Sequence, residues 1–140
     1  MRQSLLSERT VPIALFGVTL LAFGVFIPWF GIYGDDPIYL YNYHLLGAGS
    51  FPQFVSADRP YSGWIYMLVT PLFGTTIWLY HVLMLALRWL SAVLLWWVLR
   101  MVWSTHPRQA AWTALLFAIY PGFLQQPIAI QYILHFSVLN

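Results

Sequence analysis

The sequence predicts an all-α, polytopic bundle of transmembrane helices, with two interfacial helices in its first outer loop. Of the 140 residues, 61% are hydrophobic and 7% are charged, whereas a soluble domain carries about 25% charged residues. So few polar side chains cannot cover a water-exposed surface, which excludes a soluble enzyme and a disordered tail. Residues 11–30 and 77–103 are apolar runs, each long enough for a membrane span, which takes about 20 helical residues.

Charge and cysteine content exclude further classes of protein. The net charge is +2, too small for the phosphate-backbone contacts of a nucleic-acid-binding protein. The chain has no cysteine, so it forms neither a disulfide framework nor a thiolate metal site. We therefore expect membrane lipid, and not nucleic acid, as a partner.

Residues 11–30 form the first predicted span. The alternative is a cleaved signal peptide, whose apolar stretch usually has about 7–15 residues and ends in small residues. Here the stretch is longer, and it ends in the bulky Ile27, Pro28, Trp29 and Phe30. We expect a retained membrane anchor.

Residues 34–74 form a predicted outer loop at the membrane surface. The loop is polar in part but remains rich in Tyr, Trp and Phe, as is typical of segments at the membrane–water boundary. Asp36-Pro37 predicts the start of a helix that runs to about Leu46, because Asp is a favoured N-cap and Pro fits the first helical position. A second surface helix is predicted from near Pro60 to Phe73.

Three further spans are predicted after the loop, at residues 77–103, 110–124 and 127–140. The last is incomplete, because it is shorter than the roughly 20 residues that a spanning helix needs. We expect the chain to be the N-terminal part of a longer protein, whose remaining transmembrane helices complete the bundle.

The distribution of arginines predicts the orientation, since short cytoplasmic loops carry the excess of basic residues. We expect a cytoplasmic N-terminus and an external loop 34–74 in the plasma (inner) membrane. The basic residues expected inside are Arg2, Arg9, Arg100 and Arg108. The aromatic residues expected at the boundaries are Trp29, Tyr33, Trp78 and Tyr80 outside and Trp96, Trp97 and Trp103 inside.

Asp35 and Asp36 are the first candidates for chemistry. Two adjacent carboxylates repel each other, and burial raises their pKa further, so one of them can serve as a proton acceptor. Asp36 has an alternative role as the cap of the helix that begins at Pro37. Capping by Asp36 leaves Asp35 as the functional acid, although a solvated loop position explains Asp35 equally well.

Arg88 is the second candidate, because an arginine near the middle of a span is costly unless it faces protein, water or an anion. His81 and Ser91 share its helix face by spacing. One interpretation is a polar stripe that locks the helices together. The other is a cation close to a lipid phosphate or to the acidic pair.

Arg59 and the histidines complete the candidates. Arg59 either pairs with Asp58 at the surface, with little energetic value, or uses its planar fork to hold a phosphate. The histidines are dispersed and show no metal-ligand spacing; they are His44, His81, His106 and His135. Gln131 and His135 share a helix face and either line a cavity or join helices.

Four short motifs follow one another along the chain. They are Asp35-Asp36-Pro37-Ile38-Tyr39, then Arg59-Pro60-Tyr61-Ser62-Gly63-Trp64-Ile65 with Phe73-Gly74, then Leu87-Arg88-Trp89-Leu90-Ser91, and finally Pro121. In this order they resemble elements from the N-terminal part of GT-C membrane glycosyltransferases, in the protein-mannosyltransferase and aminoarabinose-transferase-like branch. The branch has Asp-Glu-x-x-Tyr in place of the first motif and a second proline at the position of Tyr61.

The resemblance implies transfer of a glycosyl group from a polyprenyl-phosphate donor to an acceptor on the outer face of the membrane. It makes Asp35 and Asp36 the catalytic residues, with Asp35 taking the acceptor proton. It makes Arg59, Arg88 and Tyr39 substrate-binding residues, the arginines steadying the departing phosphate. Some members carry an acidic residue after the third span, where this chain has glutamines. The identity of any cofactor is therefore unknown, and the sequence gives no support for a divalent metal.

The alternative function is that of a non-enzymatic polytopic membrane protein, either a transporter fragment or a helical subunit. A transporter places its acidic residues mid-span along a pathway. Here Asp35 and Asp36 lie at the predicted boundary and only Arg88 lies deep, which favours the transferase.

Overall fold

The computed structural model describes residues 10–59, 62–120 and 126–139. Over these residues the protein is all-helical, with a helix content of 79% and no strand. By length and composition, Thr10–Trp29 and Ile77–Val102 can each cross a membrane. The prediction of an all-α protein is thereby confirmed, and the apolar runs at 11–30 and 77–103 coincide with these helical stretches.

The first span changes helix type part-way along. It begins as helix α1 (Thr10–Ala22) and continues as a 3-10 helix over Gly24–Trp29, which contains Pro28. A proline ring clashes with the carbonyl four residues earlier, here that of Gly24, and so disfavours a continuous α-helix. Gly24 also lies against the second span, because a Cβ at this position would stand 3.0 Å from Leu85 Cδ2.

The described part of loop 34–74 holds a 3-10 helix over Ala48–Ser50 and three α-helices, one more than expected. They are α2 (Asp36–Leu46), α3 (Phe51–Phe54) and α4 (Gly63–Phe73). The predicted bounds of the first surface helix are confirmed, and the helix ends at Gly47, whose φ of 74° is readily adopted by glycine. The second predicted helix begins at Gly63, whereas its predicted start at Pro60 lies outside the described residues.

Helix α5 (Ile77–Val102) is the central element and packs against α1, α6 (Pro107–Ile119) and α7 (Ala129–Leu139). Small side chains on α6 are buried where it meets α1 and α5, and they let the helix backbones approach closely; they are Ala110, Ala111, Ala114 and Ala118. Helices α6 and α7 have 13 and 11 residues, fewer than the roughly 20 of a span. The spans at 110–124 and 127–140 stay predictions, and residues 121–125 and 140 lie outside the described ones.

A second core joins loop 34–74 to α5 and α7. Two aromatic residues predicted to lie at the membrane boundaries are buried instead. Tyr80, expected at the outer membrane boundary, is buried in this core, and its hydroxyl donates to the Gly74 carbonyl at 2.8 Å. Trp96, expected at the inner boundary, is buried in the core between α1, α5 and α6. Trp29 and Trp78 are exposed, as expected of boundary residues.

Candidate functional site

Gln131, in the first turn of α7, holds both residues of the acidic pair. Its backbone N–H donates to Asp36 Oδ1 at 2.8 Å, and its side-chain Nε2 donates to Asp35 Oδ2 at 2.9 Å. Asp36 is buried, with 1% of its surface exposed, while Asp35 is exposed. One residue of α7 therefore fixes the two carboxylates, and only that of Asp35 faces outward.

Asp36 caps α7, which lies far from it in sequence. The amides of Ala129 and Ile130 act on its carboxylate together with that of Gln131, because the first N–H groups of a helix have no partner within the helix. The expectation that Asp36 caps its own helix is wrong: α2 begins without a side-chain cap. Burial raises the pKa of the Asp36 carboxyl, and the amides and the charge of His81 oppose this rise without cancelling it.

Tyr39 and Tyr66 pack against each other close to the acidic pair. Their ring centroids are 4.8 Å apart, and Tyr39 also packs against Phe51 and Phe54. The Tyr66 side chain is fully buried, and its hydroxyl donates to the Gln131 carbonyl at 3.2 Å. Burial raises the pKa of both tyrosines, and that of Tyr66 is raised further by the nearby Tyr39 hydroxyl. Both hydroxyls are thus neutral, and that of Tyr66 already donates its hydrogen to the Gln131 carbonyl.

Arg59 forms an ion pair with its neighbour in the chain, Asp58. Its Nε is 3.2 Å from Asp58 Oδ2, and its side chain is 31% exposed. Its Nη1 is buried and has no hydrogen-bond partner among the residues that the structure describes. The positive charge of Arg59 opposes the rise in the pKa of Tyr39 and Tyr66, so the guanidinium acts on the same two hydroxyls as the acidic pair.

Four residues predicted from the sequence thus share one region: Asp35, Asp36, Tyr39 and Arg59. We call this region, completed by Tyr66 and Gln131, the outer site. It combines an exposed carboxylate, a guanidinium with an open donor and two tyrosine hydroxyls. In the described ranges, no three His, Cys, Asp or Glu side chains come together as a metal site would require.

No protein-family model, curated protein or solved structure matches this chain. The resemblance to GT-C glycosyltransferases therefore depends on the four motifs, and the roles that it implies for the outer site stay predictions.

Arg88, the remaining predicted residue, faces the first span. It is buried in the middle of α5, and its guanidinium carbon lies 3.8 Å from the centre of the Phe23 ring. The Ser91 hydroxyl donates to the Leu87 carbonyl of the same helix at 2.9 Å. The contact with Phe23 favours the interpretation in which Arg88 locks helices together, and its substrate-binding role stays a prediction.

Two features of the region were missed in the sequence. Tyr66 belongs to a stripe of buried polar residues four apart, with Ser62 just before α4 and Tyr66 and Thr70 within it. This spacing in an apolar helix was its signal. The second feature is a clamp between His81 on α5 and Gln126 just before α7. Gln126 Nε2 donates to the His81 carbonyl at 3.0 Å, and His81 Nδ1 lies 3.1 Å from the Gln126 carbonyl.

Proposed function

We propose that this chain contributes the outer site of a membrane-embedded glycosyltransferase that uses a polyprenyl-phosphate-linked sugar. The observation that carries the proposal is that Gln131 holds the exposed Asp35 carboxylate beside the buried Asp36, while the charges of both Asp35 and Arg59 act on the Tyr39 hydroxyl. Glycosyl transfer from a lipid phosphate needs both groups, since a proton must leave the acceptor and an anion must leave the sugar.

In the proposed reaction, an acceptor hydroxyl oxygen attacks the anomeric carbon of the donor sugar. The bond between that carbon and the phosphate oxygen breaks, and the lipid phosphate leaves with the electron pair. Asp35 takes the proton of the acceptor hydroxyl. Arg59 stabilises the negative charge on the leaving phosphate, because charge-assisted hydrogen bonds to a phosphate strengthen as its charge develops.

Asp36 acts differently from Asp35 in this proposal. Its Oδ1 already accepts the Gln131 amide, so it serves as a positioning residue that anchors α7 beneath the site. Gln131 then orients the Asp35 carboxylate through its side chain. Tyr39 contributes a hydroxyl near the donor.

The proposal includes an orientation. With a cytoplasmic N-terminus, loop 34–74 and the outer site face the outside of the plasma (inner) membrane. Exposed aromatic side chains surround this end of the protein, among them Trp29, Tyr41 and Trp64, and such side chains suit the headgroup region. A lipid-linked donor can then keep its tail in the bilayer while its phosphate reaches Arg59.

Donor binding tests the proposal. The full chain in lipid nanodiscs is titrated with a radiolabelled polyprenyl-phosphate sugar, with the unphosphorylated polyprenol as competitor. Arg59→Gln should weaken donor binding about 10-fold or more, the value of a charge-assisted hydrogen bond. Arg108→Gln, which removes an exposed arginine at the opposite end, is the control and should leave binding unchanged. Equal competition by the polyprenol, or equal affinity in R59Q, would overturn the proposal and favour a non-enzymatic helical subunit.

A further inference from the structure

A groove lies on the last two turns of α5, at the end of the helix that is remote from the outer site. Trp96, Trp97, Arg100 and Met101 line it, and its volume is about 250 Å³. Residues four apart share a helix face, so Trp96 is followed by Arg100 and Trp97 by Met101 along two adjacent rows. The groove is smaller than the roughly 300–1,000 Å³ of sites for drug-sized ligands. It therefore suits a small polar headgroup.

The polar groups of the groove are hydrogen-bond donors. The Arg100 guanidinium carbon lies 5.7 Å from the centre of the Trp96 ring, within the range of a cation–π contact. Trp96 is 8% exposed, and its Nε1 is buried and has no acceptor among the residues that the structure describes. An indole N–H and a guanidinium donate hydrogen bonds and accept none. A ligand of this groove must therefore supply acceptors.

The rest of the groove is apolar and open. Trp97 and Met101 are both more than half exposed, and a tryptophan in such a place is typical of the headgroup level of a membrane. Helix α5 has 26 residues and extends about 39 Å at 1.5 Å per residue. Since the hydrocarbon core is about 30 Å thick, the last turns of α5 reach the headgroup level when the start of the helix lies at the opposite boundary.

The charges near this end of the protein favour an anion. Arg108, which is exposed in the first turn of α6, adds a second guanidinium after the end of α5. The acidic side chains in the described ranges are Asp35, Asp36 and Asp58, and all of them belong to loop 34–74. Basic residues next to a membrane surface attract anionic lipids.

Arg100 also has a role that requires no ligand. It lies in the last turn of α5, where a positive charge is favoured by the partial negative charge of the helix C-terminus. This role predicts no preference between one lipid and another. Selectivity for lipid charge at this position therefore distinguishes a binding site from a helix end.

We propose that the groove binds the headgroup of an anionic phospholipid. Arg100 donates to the phosphate oxygens, because its planar fork matches two of them. Trp97 and Met101 contact the glycerol and the first methylenes of the lipid. A zwitterionic headgroup fits less well, since it brings its own cation close to the guanidinium. The site goes beyond the proposed function, because it is remote from the outer site and needs no sugar donor.

Native mass spectrometry of bound lipid tests the proposal. The full chain, freed of lipid in detergent, is titrated with phosphatidylglycerol or phosphatidylcholine, and the dissociation constant of the first bound lipid is compared. We expect the wild type to bind phosphatidylglycerol about 10-fold more tightly, the value of a charge-assisted hydrogen bond. Arg100→Gln should abolish this preference. Two controls should retain it, namely Arg108→Gln beyond the end of α5 and Arg59→Gln at the outer site.

Four results would overturn the proposal. Equal affinity of the wild type for both lipids is the first, and this comparison needs no variant to fold. A preference that survives in R100Q would leave Arg100 its role at the helix end. An equal loss in R108Q or R59Q would show either diffuse attraction to basic residues or binding at the outer site. Displacement of the lipid by glycerol 3-phosphate, which has no acyl tails, would identify a site for a soluble phosphate ester instead.

Discussion

The carboxylate of Asp36 accepts the backbone N–H of Gln131 across 95 residues of sequence, at 2.8 Å. The bond joins the first turn of α2 to the first turn of α7 and thereby closes the outer loop over the end of α5. Because the Gln131 side chain also holds Asp35, the same contact that stabilises the fold orients the exposed acid. The contact between Asp36 and Gln131 therefore serves both the fold and the proposed reaction.

The first prediction concerns the pH dependence of stability. Burial raises the pKa of Asp36 above its ordinary value, so in the range between the unfolded and folded pKa the folded state binds more protons than the unfolded state. Stability then falls as pH rises through this range and is regained on acidification. We expect the wild type to gain stability relative to Asp36→Asn as pH is lowered from about 7 toward 4.

This difference is measured by thermal unfolding of both proteins in the same detergent over the pH series. An asparagine side chain at position 36 does not titrate, so the difference between the two proteins isolates Asp36 and the groups that interact with it. A wild type that loses stability relative to D36N on acidification would contradict the burial effect.

The second prediction tests the contact between α3 and α4. A Cβ at Gly63 would collide with the backbone of Pro52, which has no flexible end to move aside. Gly63→Ala should lower the free energy of unfolding by about 1–3 kcal/mol, as overpacking does. Gly17→Ala is the control, since its Cβ would meet no atom within 4 Å, and it should be neutral or slightly stabilising because alanine favours the helix. Equal stability of the two variants would show that α3 and α4 can separate freely.

The third prediction assigns the role of Arg88. A double-mutant cycle with Arg88→Met and Phe23→Leu isolates the contact between the guanidinium and the ring, whatever else each side chain touches. We expect a coupling energy of about 0.5–2 kcal/mol in thermal or denaturant unfolding. A coupling near zero, together with weaker donor binding in R88M, would support the substrate-binding interpretation instead.

The elements that could be predicted from the sequence are those with local signals. Asp36-Pro37 and Gly47 marked the two ends of α2 correctly, because a proline in the first helical turn and a glycine at the helix end act within one turn of chain. The acidic pair and Arg59 were singled out by residue type and position, and Tyr39 by the resemblance to GT-C glycosyltransferases. Arg88 was recognised as unusual because it lies near the middle of a predicted span.

The remaining features depend on contacts between distant parts of the chain. Asp36 was expected to cap its own helix. Its carboxylate instead accepts hydrogen bonds from the backbone amides at the start of α7. Tyr80 and Trp96 had the composition of boundary residues, yet packing against the outer loop and α6 buries them. The His81 ring lies within hydrogen-bond distance of the Gly31 and Gln126 carbonyl oxygens. The spacing of residues along the chain does not reveal these contacts.

Glycosyl transfer by an Asp35→Asn protein is the most direct measurement of the central claim. The asparagine side chain in D35N can still accept the hydrogen bond from Gln131 but cannot take a proton at neutral pH. With a polyprenyl-phosphate sugar and its acceptor, we expect transfer by the full chain to fall about 100-fold or more, the usual contribution of a general base. Tyr41→Phe removes an exposed hydroxyl of the same loop, on a side chain that is 65% exposed, and should retain activity within about twofold. Wild-type rates in D35N, with the fold intact, would contradict the account.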